Sequence, residues 1–562
     1  MRHATLVPVL ASLLILGACA TATAPTPKAA EPVGANSPYG LFLAGSSALT
    51  EGRNSEAAKF LEQAKMQGGD DPAVIERAFM AALLAGDIPQ AARLAPDGDG
   101  VSDQGRRLGR MVRAVEALAM GKGKLAKEVL GTDGIGFPHR SAVALLSPWI
   151  AASVGDLEGS LVRPTVRGDA GVDYFGQIGQ AHLFERARRF DEAETDFKAI
   201  SVGDAPSEIA LLAYGSFLER RARRAEALTL YDAGLLRNPS HLGLRAARAR
   251  AGGGKSAPPV PTIREGAALA LLAPAATLIS GQQSQIGQAY LNLALRLDPH
   301  RNDGWLMLGD VLQRQGNLEG ARAAYGRPKA NTPEFSAAQA KLAWSYQNAS
   351  DKPEALCLAR NAAATGDPEG RAALADILAA NESYAEAITI WDGLIAEAKA
   401  PQWPLYYARG LSLERMGDWD KAKVDLARAL ALRPNEPELL NALGYGLIDR
   451  GERLPEALAM VERAVGINPR SGAIIDSLGW AHYRLGNYPK AVELLEQAIQ
   501  LQAGDPEINN HLGDAYWRVG RKDEAIFQWR RVLTVKPDAK IRADAEKKLA
   551  SGLGPAAKLA EQ

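Results

Sequence analysis

The feature that most constrains this chain is a beat of small residues. Gly309, Ala343, Ala375, Gly410, Gly444, Gly479 and Gly513 follow one another at intervals of 32 to 35 residues. Twelve residues after most of them stands an alanine: Ala321, Ala355, Ala387, Ala422, Ala491 and Ala525, with Ala457 displaced by one. Pro434, Pro469 and Pro537 close their units. Two antiparallel helices approach closely only where side chains are small, and a proline stops the second helix before the next unit begins. Seven units on one beat therefore predict stacked helix pairs rather than a globular core.

Such a period is that of the tetratricopeptide repeat. Trp305-Leu308-Gly309-Leu312-Ala321-Tyr325 and Leu512-Gly513-Tyr516-Ala525-Trp529-Pro537 fit its pattern well, with Gly520 at the turn of the last unit. Weaker copies run upstream, among them Gly45-Gly52-Ala57-Ala64 and Gly215-Leu218-Ala227-Tyr231-Pro239. The expected fold is all-α, a superhelical tetratricopeptide solenoid of about eleven to thirteen helix pairs in two blocks. Residues 37–250 form the degenerate N-terminal solenoid and 263–538 the C-terminal one, with a capping helix and tail at 539–562. Between the blocks, 251–262 (Ala-Gly-Gly-Gly-Lys-Ser-Ala-Pro-Pro-Val-Pro-Thr) reads as a flexible break, and the beat also fails over 131–170. Gly254-Lys255-Ser256 is no phosphate loop, because the required glycine five residues earlier is Ala249 and no strand pattern precedes it.

The first residues carry a separate message. After Arg2 an apolar run, Leu6 to Leu16, leads into Leu16-Gly17-Ala18-Cys19. The run is too short to span a bilayer with margin and has the layout of a secretory signal. Leu-Gly-Ala-Cys resembles the bacterial lipobox, which implies a signal peptide over 1–18, acylation of Cys19 and a lipid anchor such as palmitate. Residues 19–36, rich in Ala, Thr and Pro, read as a flexible tether. Ala20 in place of Asp implies the outer membrane, facing the periplasm of a Gram-negative cell.

Composition excludes several functions. Basic and acidic side chains balance at 65 each, which leaves no electrostatic footprint for nucleic acid. Two cysteines make no disulfide framework, and seven scattered histidines make no metal cluster. There is no His-Glu-x-x-His, no Gly-x-Ser-x-Gly and no close Cys/His pair, so the chain reads as a non-enzyme without cofactors.

The groove of a helix-pair solenoid is lined by fixed positions of each first helix. In the last four units these positions hold Tyr407, then Asn441 and Tyr445, then Asp476, Trp480 and Tyr483, then Asn510, Asp514, Trp517 and Arg518. The fold itself does not require large aromatics there. With aromatics at only 6% of the chain, a stripe in neighbouring units, flanked by amide and carboxylate groups, suits an extended or helical polypeptide. The same residues could instead pack between helices or against the capping segment. No Lys/Arg cluster lines the groove, so it does not resemble the clamp that holds acidic C-termini.

Leu443-Gly444-Tyr445-Gly446-Leu447-Ile448-Asp449-Arg450-Gly451 and Asp476-Ser477-Leu478-Gly479-Trp480-Ala481-His482-Tyr483 add a family signature. They resemble the C-terminal part of large tetratricopeptide outer-membrane lipoproteins that serve as binding partners of periplasmic C-terminal processing proteases. That resemblance implies an adaptor which brings such a protease to envelope substrates, including peptidoglycan hydrolases, and so regulates cell-wall growth. It carries over no individual contact residue. Two other readings stay open: an assembly or export factor for outer-membrane proteins, pili or exopolysaccharide, and a structural lipoprotein that binds glycan.

Overall fold

The computed structural model describes residues 37–68, 71–131, 135–201, 207–281 and 283–555. The signal peptide, Cys19 and the tether lie outside the described residues, as does the end of the tail. The described residues form thirty α-helices and no strand, paired as an antiparallel tetratricopeptide solenoid.

The beat of small residues has a direct steric cause. A Cβ added at Gly309 would lie 2.3 Å from the Tyr325 ring, one at Gly215 2.3 Å from the Tyr231 ring, and one at Gly513 2.5 Å from the Trp529 indole. Each large residue of a second helix thus lies on the backbone of the first. The matching alanines of the second helices, Ala321, Ala422 and Ala525 among them, have no exposed surface. The buried aromatics keep their polar tips satisfied, as burial demands: the Tyr325 hydroxyl donates to Asp310 at 2.6 Å and the Tyr231 hydroxyl to Glu219 at 2.8 Å.

The chain divides into two compact units, one running to Gly370 and the other from Arg371. The expected break at 251–262 therefore falls inside the first unit, and it is pinned rather than loose. Arg220 donates to the Pro258 carbonyl at 3.0 Å and Arg186 to the Pro261 carbonyl at 2.9 Å. Arg220 is itself held by a bidentate pair to the buried Glu185, both contacts at 2.7 Å.

This crossing delivers Ile263–Ser280, a helix started by a Thr262/Glu265 capping box, back onto earlier helices. It packs against Arg140–Ser153 and Ala170–Arg186, while its partner Ser284–Leu297 packs against Pro72–Leu84 and Asp103–Ala119. Close docking is possible because Gly266 faces Trp149, where a Cβ would sit 2.1 Å from the ring. Polar side chains fix the return. Gln288 and Asn292 donate to the helix-end carbonyls of Leu84 and Leu83 at 3.0 and 2.9 Å, and Arg296 forks onto Glu116 at 2.7 and 2.8 Å. Ile263–Ser280 is long and apolar enough to cross a membrane, but here it is a packed wall of this unit. In the weak stretch 131–170 the second helix shrinks to the single turn Leu157–Ser160.

The second unit is a regular run of helix pairs. Its later first helices are Trp403–Arg415, Pro437–Arg450, Gly472–Arg484 and Pro506–Arg518, and Ala539–Ser551 closes the array.

Candidate polypeptide-binding face

Part of the set expected to line a groove comes together in the second unit. Starting from the middle, the Trp480 indole stacks on the His511 ring at 4.0 Å between centroids and 13° between planes. On its other side it stacks on Tyr483 at 4.6 Å and 7°. Tyr445 lies 6.3 Å from the His511 ring and donates its hydroxyl to Glu507 at 2.5 Å. One continuous face thus draws side chains from three successive first helices. Aromatic pairs of this kind contribute about 0.5–1.5 kcal/mol each beyond burial.

A buried ion pair lies beneath this face. His511 Nδ1 is 3.0 and 3.1 Å from the two Asp476 oxygens, and both residues are almost wholly buried. Burial by itself disfavours the imidazolium, but the Asp476 carboxylate outweighs it, helped by Glu507 and Asp514, and His511 is pushed up to about 9. Burial pushes the Asp476 carboxyl up while the imidazolium pulls it back. At neutral pH His511 is therefore held as the imidazolium. Burial, reinforced by Glu507, also raises the Tyr445 phenol well above its usual range, so it remains a donor. Asp476 therefore supports the face from below and is not exposed to a ligand.

Four of the expected residues are taken by the chain's own C-terminal segment. Lys548 of the closing helix, itself buried, reaches Asp514 at 2.7 Å, Asp544 at 2.5 Å and Asn510 at 3.1 Å. Asp514 also accepts from the Trp529 indole at 3.0 Å. Asn510 donates to Asp544 at 2.9 Å. Trp517 lies against Gly552, where an added Cβ would sit 2.3 Å from the indole, and tilts against Trp529 at 5.3 Å, while Leu549 and Leu553 pack on the same core cluster. Arg518 donates to the Gly554 carbonyl at 2.6 Å and to the Tyr483 hydroxyl at 3.1 Å. Asn510, Asp514, Trp517 and Arg518 thus hold a polypeptide already, and it belongs to the same chain.

What remains for a partner is Tyr407, Asn441, Tyr445, Trp480 and Tyr483, all half-buried. Two of their polar atoms, Asn441 Oδ1 and Trp480 Nε1, have no hydrogen-bond partner among the described residues. Tyr407 lies apart from the stack and lines a concavity of about 320 Å³ with Asp376, Trp391, Leu411 and Arg415. Burial pushes the Asp376 carboxyl up to about 6. Sequence reasoning missed Asp376, Glu507 and Lys548. Asp376 follows the small residue of its repeat as Asp514 does, a signal that could have found it, whereas Lys548 lies outside the repeat pattern. Among the described residues no group of three or more His, Cys, Asp or Glu side chains is placed to hold a metal ion.

Comparison with known sequences finds the same repeat in this chain. Models of the tetratricopeptide repeat match residues 277–332, 403–436 and 477–538. A TPR repeat-containing protein of Pseudomonas aeruginosa is 40% identical over 82 residues, which is 15% of this chain and 14% of that protein. Among solved structures, a tetratricopeptide repeat protein from Parabacteroides merdae covers 44% of this chain and 99% of its own, at 13% identity and a TM-score of 0.38. The Cut9-Hcn1 hetero-tetramer of APC/C yields a chain that covers 92% of this one and 96% of its own, at 16% identity and a TM-score of 0.41. The chain carries tetratricopeptide repeats, and such repeats are scaffolds for protein–protein interaction.

Proposed function

We propose that this chain is a non-enzymatic adaptor, anchored through acylated Cys19 to the periplasmic face of the outer membrane. It binds a polypeptide segment along Tyr407, Asn441, Tyr445, Trp480 and Tyr483. Through that contact it brings a C-terminal processing protease to envelope substrates such as peptidoglycan hydrolases. The observation that supports binding is the continuous aromatic face from Tyr445 through Trp480 to Tyr483. Rigid aromatics offer large contact area at low entropic cost, and interface tryptophans and tyrosines are the usual hot spots. The protease and the location rest on the lipobox and the 443–451 and 476–483 motifs.

The test uses the mature chain with Cys19→Ser as bait in periplasmic extract, beside a Tyr445→Ala/Trp480→Ala variant. Capture of a processing protease that drops at least tenfold with the variant supports both the adaptor role and the face. Capture unaffected by the variant removes the face, and recovery of an assembly machine or of glycan alone removes the adaptor role. Incorporation of a palmitate analogue in cells, lost in Cys19→Ser, tests the anchor.

A further inference from the structure

The first unit holds a chamber of about 420 Å³, formed where Ile263–Ser280 returns onto Arg140–Ser153 and Ala170–Arg186. That size is typical of small-molecule sites, which span about 300–1,000 Å³. Its walls are apolar, contributed by Leu145, Val172, Phe175, Ala273, Pro274 and Leu278. Tyr290 lines it too, but its hydroxyl is taken by the buried His139 at 2.6 Å.

The polar groups of the chamber are unequal. Asp169 is already engaged, accepting from the Val172 amide at 3.1 Å and from the Ser141 hydroxyl at 2.5 Å. Arg140 is exposed and makes no hydrogen bond or ion pair among the described residues. Among the described residues one cation is thus free at an apolar chamber while the one lining carboxylate is occupied. At the inner end a second space of about 10 Å³, room for one water, shares Leu145 and Phe175 as walls. There the buried Gln180 presents an amide whose two polar atoms both lack partners. That amide marks a polar end to the apolar walls.

From this arrangement we infer that the chamber binds a single-chain amphiphile, an acyl chain with an anionic head that pairs with Arg140. The volume lies in the range of sites that take one small ligand. The head is a carboxylate or a phosphate monoester, since one guanidinium serves both.

The test displaces dansyl-undecanoate from the mature chain with laurate, with lauroyl lysophosphatidate and with uncharged dodecanol. The inference expects displacement by at least one of the two anions in the micromolar range, and which one identifies the head. It expects dodecanol to compete at least fivefold more weakly. Ala273→Trp fills the chamber and Thr277→Trp blocks its exposed rim, and each should abolish probe binding. If Ala273→Trp disturbs the fold by circular dichroism, Thr277→Trp decides. Arg140→Gln should weaken the anions about fivefold at low ionic strength and leave dodecanol unchanged. Equal competition by dodecanol, or undiminished binding in Thr277→Trp, overturns the inference.

Discussion

Replacing Lys548 by Met would leave Asp514 buried with its charge uncompensated. Lys548 is nine-tenths buried and contacts Asp514 at 2.7 Å, while Asp514 retains only the Trp529 indole as a donor once the ammonium is gone. Breaking a buried pair from one side costs about 3–5 kcal/mol, because the remaining ion has lost both water and partner. Adding Asp514→Asn removes that orphaned charge and keeps an oxygen for Trp529. The double variant should therefore lose only the net value of the pair and its hydrogen bonds, about 1 kcal/mol. Hydrogen exchange of amides in Ala539–Ser551 and Pro506–Arg518, read by mass spectrometry on the full mature chain, reports both quantities. The expected result is a strong loss of protection in Lys548→Met and substantial rescue in the double variant. A single-variant cost below about 1 kcal/mol, or a double variant as unstable as the single, would refute the claim that a buried ion pair docks the C-terminal segment.

Three further outcomes follow from the same geometry. His511 is raised from its ordinary 6.5 to about 9, so its contribution is fully present below 6.5 and fades as pH rises through 9; protection in Gly472–Arg518 should fall by roughly 3 kcal/mol over that window, and His511→Gln should flatten the profile. Gly309→Ala places a methyl 2.3 Å from the Tyr325 ring and should cost about 1–3 kcal/mol, whereas Gly504→Ala, with nothing within 4 Å, should be near neutral in thermal melts. Arg220→Met leaves Glu185 buried and frees the Pro258 carbonyl, so limited proteolysis should cut within 253–262 faster in the variant than in the native chain.

The repeats were legible because their cause is local and steric. Gly309 under Tyr325 and Gly513 under Trp529 admit no larger residue, so the beat survives even where everything else varies. The return of 263–297 onto the N-terminal helices was not legible. It depends on Gln288 and Asn292 finding helix-end carbonyls some two hundred residues away, and isolated amides on a helix carry no period. Glycines and prolines at 251–262 suggested a loose break, yet Arg186 and Arg220 hold that backbone from outside it. At the candidate face, the positions of Tyr445, Trp480 and Tyr483 could be read from repeat register alone. Asn510, Asp514, Trp517 and Arg518 obey the same register while gripping the chain's own end. A covering helix from the same chain asks for the same amide, carboxylate and aromatic groups as a partner would.

The central claim, that a foreign polypeptide occupies the face between Tyr407 and Tyr483, is tested most directly by site-specific photocrosslinking in cells. A benzophenone amino acid would be placed in turn at positions 407 and 445, and at 527 as a control, where Phe527 is 61% exposed on a second helix. Adducts are then identified by mass spectrometry. The account predicts one recurring polypeptide joined to 407 and 445 and absent from 527. Adducts equally abundant at all three positions, or none at 407 and 445, would contradict it.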